Sequence, residues 1–211
     1  MGSSARFWLA AMGFGLLCGC AADRVPDRAA AETLVPPASL KPHEQALLEN
    51  LQRQTKAVKV YDPAYVASGY PVPSKGVCTD VILRAYASVG FNLRKAVNSD
   101  VAKNRKRYPY AKPDPAIDPR RCRVLITWFK RHSHPVKMEQ LRPGDVVFYD
   151  VKGKGVATHI AMVGNRRSSD GLPTIFHHCP GWPVMETQWM RQSRLMGCFR
   201  VPAKLFASLT P

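Results

Sequence analysis

Apolar residues recur at helical spacing in three stretches of the chain. Leu47, Leu48 and Leu51 form a stripe among polar neighbours and predict a helix over 43–57. Val81, Ile82, Ala85, Tyr86 and Val89 do the same just after Cys78, and Gly90 supplies a C-terminal stop. Val124, Leu125, Trp128 and Phe129 mark the buried face of a further helix. Between the last two, Leu93 to Arg107 reads as a more polar helix. Upstream of Cys78, Pro71 and Pro73 fix φ and remove backbone donors. The second helix therefore cannot begin before the Gly76 turn, and Cys78 falls in its first turn.

Past Leu141 the period changes. A turn at Leu141-Arg142-Pro143-Gly144-Asp145 leads into the β-prone run Val146 to Tyr149. A Gly/Lys turn over 152–155 precedes a second strand, Thr158 to Val163. A polar loop, Asn165 to Gly171, precedes a third, Pro173 to His178, and Met196 to Val201 reads as the last. Val58 to Tyr61 is a short extended piece before the Asp62-Pro63 turn. Helices come first and sequential strands follow, which predicts an α+β domain, its N-terminal helices packed on an antiparallel sheet. The domain is placed at 43–205. No internal repeat is visible.

Composition changes the picture in two ways. The 211 residues suffice for one sizeable core, and a hydrophobic fraction of 45% is ordinary for a folded protein. The net charge of +16 is not ordinary. It implies attraction to polyanions such as nucleic acid, anionic lipid or an acidic wall polymer. The first twenty residues bear on that choice. Arg6 is a minimal positive region, and Phe7 to Leu17 is an apolar run too short to span a bilayer as a mature helix. Leu17-Cys18-Gly19-Cys20 then resembles a bacterial lipobox, with Cys20 as the lipidated residue and 1–20 as the signal peptide. Ala21 follows Cys20, which by resemblance to Gram-negative lipoproteins favours the outer membrane. Residues 21–42 are rich in Ala and Pro and read as a flexible tether.

A lipid-anchored periplasmic protein rarely meets nucleic acid, and no RNA motif, zinc-finger spacing or recognition helix is present. The expected partners are peptidoglycan or another envelope polymer, and the membrane through the anchor on Cys20. The chain is expected to act as a monomer. The basic run Lys103, Arg105, Lys106 and Arg107 reads as a solvated face or a patch for wall polymer or lipid. An exported compartment permits disulfides. With Cys18 removed, Cys20 lipidated and Cys78 reactive, three cysteines remain, and Cys179 with Cys198 is the preferred pairing.

The candidate chemistry is nucleophilic. At a helix N-terminus, unpaired N–H groups and the positive dipole end stabilise a thiolate, so Cys78 stands where a nucleophile belongs. A thiol needs a base, and the base an orienting partner. His159 opens the second strand and His177 lies near the end of the third. If those strands pair across the Asn165–Gly171 hairpin, the two histidines lie side by side. Strand alternation lets only one of His177 and His178 face the cleft, and which one is open. His43, His132 and His134 read as surface residues.

The combination of Cys78 at a helix start, Pro143-Gly144-Asp145-Val146-Val147-Phe148-Tyr149, Thr158-His159-Ile160-Ala161-Met162-Val163 and Ile175-Phe176-His177 resembles the NlpC superfamily of papain-like cell-wall peptidases. More closely, the chain resembles a family of exported bacterial proteins labelled only as a domain of unknown function. That likeness rests on Tyr61-Asp62-Pro63-Ala64-Tyr65, Gly76-Val77-Cys78-Thr79-Asp80-Val81, Ile117-Asp118 with Arg120-Arg121, and Pro143-Gly144-Asp145, and covers about residues 45–202. The resemblance implies a papain-like fold with Cys78 as nucleophile, His159 as base and His177 as the orienting group, and a cysteine peptidase or amidase acting on peptidoglycan peptides. It requires no cofactor. Typical NlpC-type enzymes carry Asp before and Ser after the cysteine, where this chain has Val77 and Thr79. Asp80 then supports the turn or binds a substrate amine, and Tyr61 and Tyr70 are candidates for the aromatic of the substrate groove, with His178 beside them. Two rivals stand: an inactive papain-like module that binds envelope polymers through its basic surface, and a thiol-dependent acyltransferase or transamidase. A metal site from His159, His177, His178 and Cys179 is disfavoured, because adjacent His-His-Cys lacks the usual ligand spacing.

Overall fold

The computed structural model describes residues 32–209, apart from 111. The leader, Cys20 and residues 21–31 of the expected tether lie outside the described residues. Among the described residues the chain forms four α-helices: α1 (Pro42–Ala57), α2 (Cys78–Ser88), α3 (Leu93–Lys103) and α4 (Cys122–His132). It forms eight strands: β1 (Val60–Tyr61), β2 (Lys75–Gly76), β3 (His134–Pro135), β4 (Val146–Asp150), β5 (His159–Arg167), β6 (Pro173–His177), β7 (Met185–Thr187) and β8 (Arg194–Arg200). β1 and β2 make a small parallel pair. The other six strands form one antiparallel sheet in the order β3-β8-β4-β5-β6-β7. The α+β expectation, helices first and an antiparallel sheet after, is met. No helix among the described residues is long and apolar enough to cross a membrane.

The sheet is buried on both faces. Val146, Phe148, Ile160, Met162 and Phe176 pack against the apolar stripes of α1, α2 and α4, with Tyr86 and Phe129 fully buried between them. Each such ring contributes roughly 1.5–3 kcal/mol by leaving water. The alternate residues Val147, Tyr149, Ala161, Val163 and Ile175 face a second, smaller cluster closed by Leu141, Trp189 and Met190. Alternation along each strand thus sorts one row towards the helices and the other towards the loops.

Gly144 and Asp145 set the start of β4. Gly144 has φ +87°, and a Cβ there would lie 2.7 Å from Leu47 Cδ1 of α1, so a larger residue would push α1 off the sheet. Asp145 accepts hydrogen bonds from the Arg142 N–H and from the Arg200 guanidinium across β8.

The fold departs from the sequence reading at several points. The first strand-like contact comes earlier than the expected domain start: Thr33 bridges Arg166, and the Asn165 side chain donates to Val35 O and accepts from Val35 N–H. Residues 33–35, inside the stretch read as a tether, therefore lie along β5, held by main-chain bonds from Leu34 N–H to Asn165 O and from Arg167 N–H to Glu32 O in addition to the Asn165 side chain. The polar helix stops at Lys103 rather than Arg107: Asn104 N–H still bonds Asp100 O, then a 3₁₀ turn covers Arg105–Arg107. The expected Cys179–Cys198 disulfide is absent, and each remains a thiol. Cys198 lies on β8 and Cys179 follows β6, with β4 and β5 between those strands. At about 4.8 Å per strand the separation is far beyond the reach of a disulfide.

Candidate functional site

Cys78 is the first residue of α2. Val77 before it is extended, and its N–H donates to the Asp80 carboxylate at 2.9 Å, so the third helical residue reaches back to secure the helix start. Asp80 is 2% exposed. It also takes hydrogen bonds from Arg120 Nε at 3.1 and 3.2 Å, and Arg120 donates onward to Ala64 O and Asp62 O. This buried ion pair ties α2's first turn to the Asp118–Arg120 turn and to the Asp62–Ala64 loop. Gly76 is required there, since a Cβ would sit 3.0 Å from Asp80 Oδ2. The Asp80 oxygens are committed to holding Cys78 in place, and Asp80 is not among the residues that line the cleft over the thiol.

β5 and β6 pair across the hairpin as expected, with Val163 opposite Ile175 and Met162 opposite Phe176. The odd-numbered residues of both strands therefore share a face. That places His159 and His177 together, with His159 Nε2 2.9 Å from His177 Nδ1. His178 takes the opposite side of the chain and packs edge-on to Tyr61, ring centroids 5.1 Å apart. Of the two adjacent histidines, His177 is the one bonded to His159.

The next bonds determine tautomers. Thr187, on β7, lies with Oγ1 2.9 Å from His177 Nε2. Its one hydroxyl proton goes to Gln188 O at 3.1 Å. Thr187 Oγ1 must therefore accept from His177 Nε2–H, which leaves His177 Nδ1 as an acceptor. His159 then carries its proton on Nε2, and its Nδ1 lone pair is left for the Cys78 thiol. Thr187 was not singled out from sequence. A three-residue strand carries too little periodicity to be seen.

The Cys78 thiol is held well below its ordinary value. A hydrogen bond from Cys122 contributes most, burial opposes it, and the charge and hydrogen bond of His159 add to the lowering, as does Ile160 N–H. Cys122 Sγ lies 3.8 Å from Cys78 Sγ. The hydrogen bond to Cys78 pushes the Cys122 thiol up, and burial adds to that. Cys122 thus keeps its proton beside the Cys78 sulfur. His177, 1% exposed, is pushed well below its ordinary range by burial, with the charges of His159 and His178 adding. A neutral His177 is what the tautomer chain requires.

A cleft of about 300 Å³ opens over Cys78. Its walls include Tyr61, Tyr110, Ile117, Cys122, Ala157 and Thr158, with Arg121, Arg123 and Lys152 at the mouth. Among the described residues that line it there is no carboxylate. Arg121 and Arg123 both lie over the Tyr110 ring, 4.3 and 5.5 Å from its centroid. Of the two aromatic candidates from sequence, Tyr61 lines this cleft. Tyr70 does not: it is 62% exposed and covers Arg94 elsewhere on the surface. Tyr110 was missed because it lies in a proline-rich connection without pattern.

His159, His177 and Cys179 offer nitrogen and sulfur atoms within 4.8 Å of one another, a donor set that zinc takes. The same nitrogens are engaged by the hydrogen bonds from His159 to His177 and from His177 to Thr187. Cys179 Sγ lies 3.3 Å from His177 Nδ1.

A family model described as a domain of unknown function (DUF1287) matches residues 48–201. The uncharacterized protein YijF of Escherichia coli (strain K12) is 35% identical over 167 residues, 74% of this chain and 80% of that protein. Among solved structures, NlpC1 from Trichomonas vaginalis is similar with a TM-score of 0.45 at 13% identity, over 75% of this chain and 43% of that one. A protein similar to lipoproteins of the NLP/P60 family from Staphylococcus aureus gives 0.45 at 12% identity, over 83% of this chain and 45% of that one. The chain thus spans less than half the length of these two structures.

Proposed function

The chain belongs to the family described as a domain of unknown function (DUF1287), and from the geometry of its cleft we propose that it is a papain-like cysteine peptidase or amidase. The carrying observation is that Cys78, at the start of α2, is hydrogen-bonded to His159, which in turn lies 2.9 Å from His177. In this reading Cys78 is the nucleophile, His159 the base and His177 the group that orients it.

The reaction is acyl transfer. The thiol proton passes to His159 Nδ1, and the thiolate attacks an amide carbonyl. The N–H of Cys78, at the start of α2, stabilises the oxyanion. His159 gives its proton to the leaving amine as the C–N bond breaks. Water, deprotonated by His159, then resolves the thioester and restores the thiol. The proposed substrate is a peptidoglycan stem peptide or cross-bridge. That reading rests on the lipobox-like Leu17-Cys18-Gly19-Cys20, the net charge of +16 and the cationic mouth of the cleft. In this proposal the protein lies in the periplasm, lipid-anchored through Cys20 to the outer membrane of a Gram-negative bacterium, and acts as a monomer.

Muropeptide profiling of purified sacculi tests this, with the parent protein and Cys78→Ala side by side. New products that require Cys78 and whose masses show a hydrolysed amide are the expected result. Products joined to an added amine would instead indicate transamidation. Identical digests from both proteins would sink the assignment and favour a binding module.

A further inference from the structure

The proposed reaction uses Cys78 but needs no second thiol, yet one stands against it. Cys78 and Cys122 are separated by 44 positions in the chain and meet at 3.8 Å between sulfurs. Each is the first residue of its helix, α2 and α4 respectively. Two positive helix ends therefore converge on one sulfur pair, an environment that favours a thiolate. Both cysteines line the same cleft. The other thiols lie in a different setting: Cys179 is buried beside His177, and burial pushes the Cys198 thiol up to about 11.

We infer that Cys78 and Cys122 form a site of reversible disulfide modification, with Cys122 as the resolving thiol and a low-molecular-weight disulfide or a peroxide as the oxidant. A disulfide is about 2.05 Å long, so closure needs the sulfurs to approach by under about 2 Å. The roles are already divided. Cys78, its proton passed to His159, attacks as the thiolate. Cys122 stays protonated until Cys78 has been modified.

With a disulfide RSSR, the Cys78 thiolate attacks one sulfur, forming Cys78–S–SR and releasing RS⁻. Cys122 then loses its proton to RS⁻, and its sulfur attacks the Cys78 sulfur. The second RS⁻ leaves, takes a proton from solvent, and the Cys78–Cys122 disulfide is complete. Two protein thiols are oxidised and RSSR is reduced to two RSH. With hydrogen peroxide, the Cys78 thiolate attacks one oxygen and the O–O bond breaks, giving a sulfenic acid and hydroxide that solvent protonates to water; Cys122 then condenses with the sulfenic acid and releases a second water. An excess of small thiol reverses either route. The step occupies the nucleophile, so under the function proposed above it silences the enzyme. The disulfide itself does not depend on that function.

The test uses the full-length protein, reduced, exposed to glutathione disulfide, alkylated, digested and mapped by mass. A peptide joining Cys78 to Cys122, loss of alkylation at both residues and recovery with dithiothreitol are expected. In Cys122→Ser, Cys78 should instead retain one glutathionyl group. After hydrogen peroxide that variant should carry sulfinic or sulfonic acid at Cys78, where the parent carries the cross-link. Glutathionylation of Cys78 to equal extent in parent and variant, with no cross-linked peptide in the parent, would overturn the inference. A cross-link in a protein that never digests sacculi would support it while removing the hydrolase reading.

Discussion

Thr187 fixes the tautomer of His177. Its Oγ1 sits 2.9 Å from His177 Nε2 while its own proton is committed to Gln188 O. The consequence runs two residues further, to the nitrogen of His159 that faces Cys78. Thr187→Val removes the acceptor and leaves a buried N–H without a partner, a cost of about 1–3 kcal/mol. His177 avoids that cost by moving its proton to Nδ1, which forces His159 into the tautomer that cannot accept the thiol proton. The expected result is a fall in kcat of roughly tenfold or more, since about 1.4 kcal/mol is a factor of ten. Thr187→Ser should restore most of it. A displaced pH–rate profile in Thr187→Val, with the profile of Thr187→Ser unchanged, separates this from a packing defect.

Asp80→Ala should be among the most destabilising single changes. It strands the Arg120 guanidinium, whose side chain is 1% exposed, and removes the acceptor of Val77 N–H. Breaking a buried pair on one side typically costs about 3–5 kcal/mol. Urea unfolding of Asp80→Ala beside the parent gives the number. A loss under about 1 kcal/mol would show that the pair does not hold the helix start.

His177 also makes stability depend on pH. Its folded pKa is depressed below the ordinary 6.5, first by burial and then by the charges of His159 and His178. Below 6.5 the unfolded chain binds this proton and the folded chain does not. The contribution is therefore fully present above pH 6.5 and is lost as pH falls from there towards the folded value. The melting temperature of the parent should drop between pH 8 and pH 5, and His177→Gln should flatten that dependence. His178 is shifted in the same direction, chiefly by burial, so a residual slope is expected to remain.

The cleft mouth carries Arg121, Arg123 and Lys152 with no carboxylate among the described residues of its lining. Arg123→Glu and Lys152→Glu should each raise KM for an anionic peptide by roughly fivefold at low salt, with kcat little changed. The difference should shrink as salt is added. An uncharged peptide of the same length serves as the control, and equal effects on both peptides would remove charge recognition from the account.

Much of the frame was legible from one-dimensional pattern. The stripes at Leu47–Leu51, Val81–Val89 and Val124–Phe129 became α1, α2 and α4, because a helix facing a core must repeat its apolar residues every three to four positions. The prolines at 71 and 73 put Cys78 at a helix start. The Asn165–Gly171 loop announced the pairing of β5 with β6, and with it the company of His159 and His177. What failed from sequence was of another kind. The preference for Cys179 with Cys198 paired cysteines without knowing that β4 and β5 lie between β6 and β8. For Asp80 the sequence left two readings, turn support or a substrate amine, and only Arg120, forty positions away, shows its oxygens taken up in the first.

The sequence by itself determined where the helices and the longer strands lie, which residue begins α2 and which hairpin brings two histidines together. These are local or nearest-neighbour properties, set by backbone propensity and by a period of 3.6 or 2. Only the tertiary structure decided that Cys122 meets Cys78, that His177 rather than His178 turns to His159, that Thr187 stands behind it, and that Arg120 closes on Asp80. Each of those contacts joins groups from separate elements. Their meeting depends on how α2, α4 and the sheet pack, which no single stretch of chain encodes.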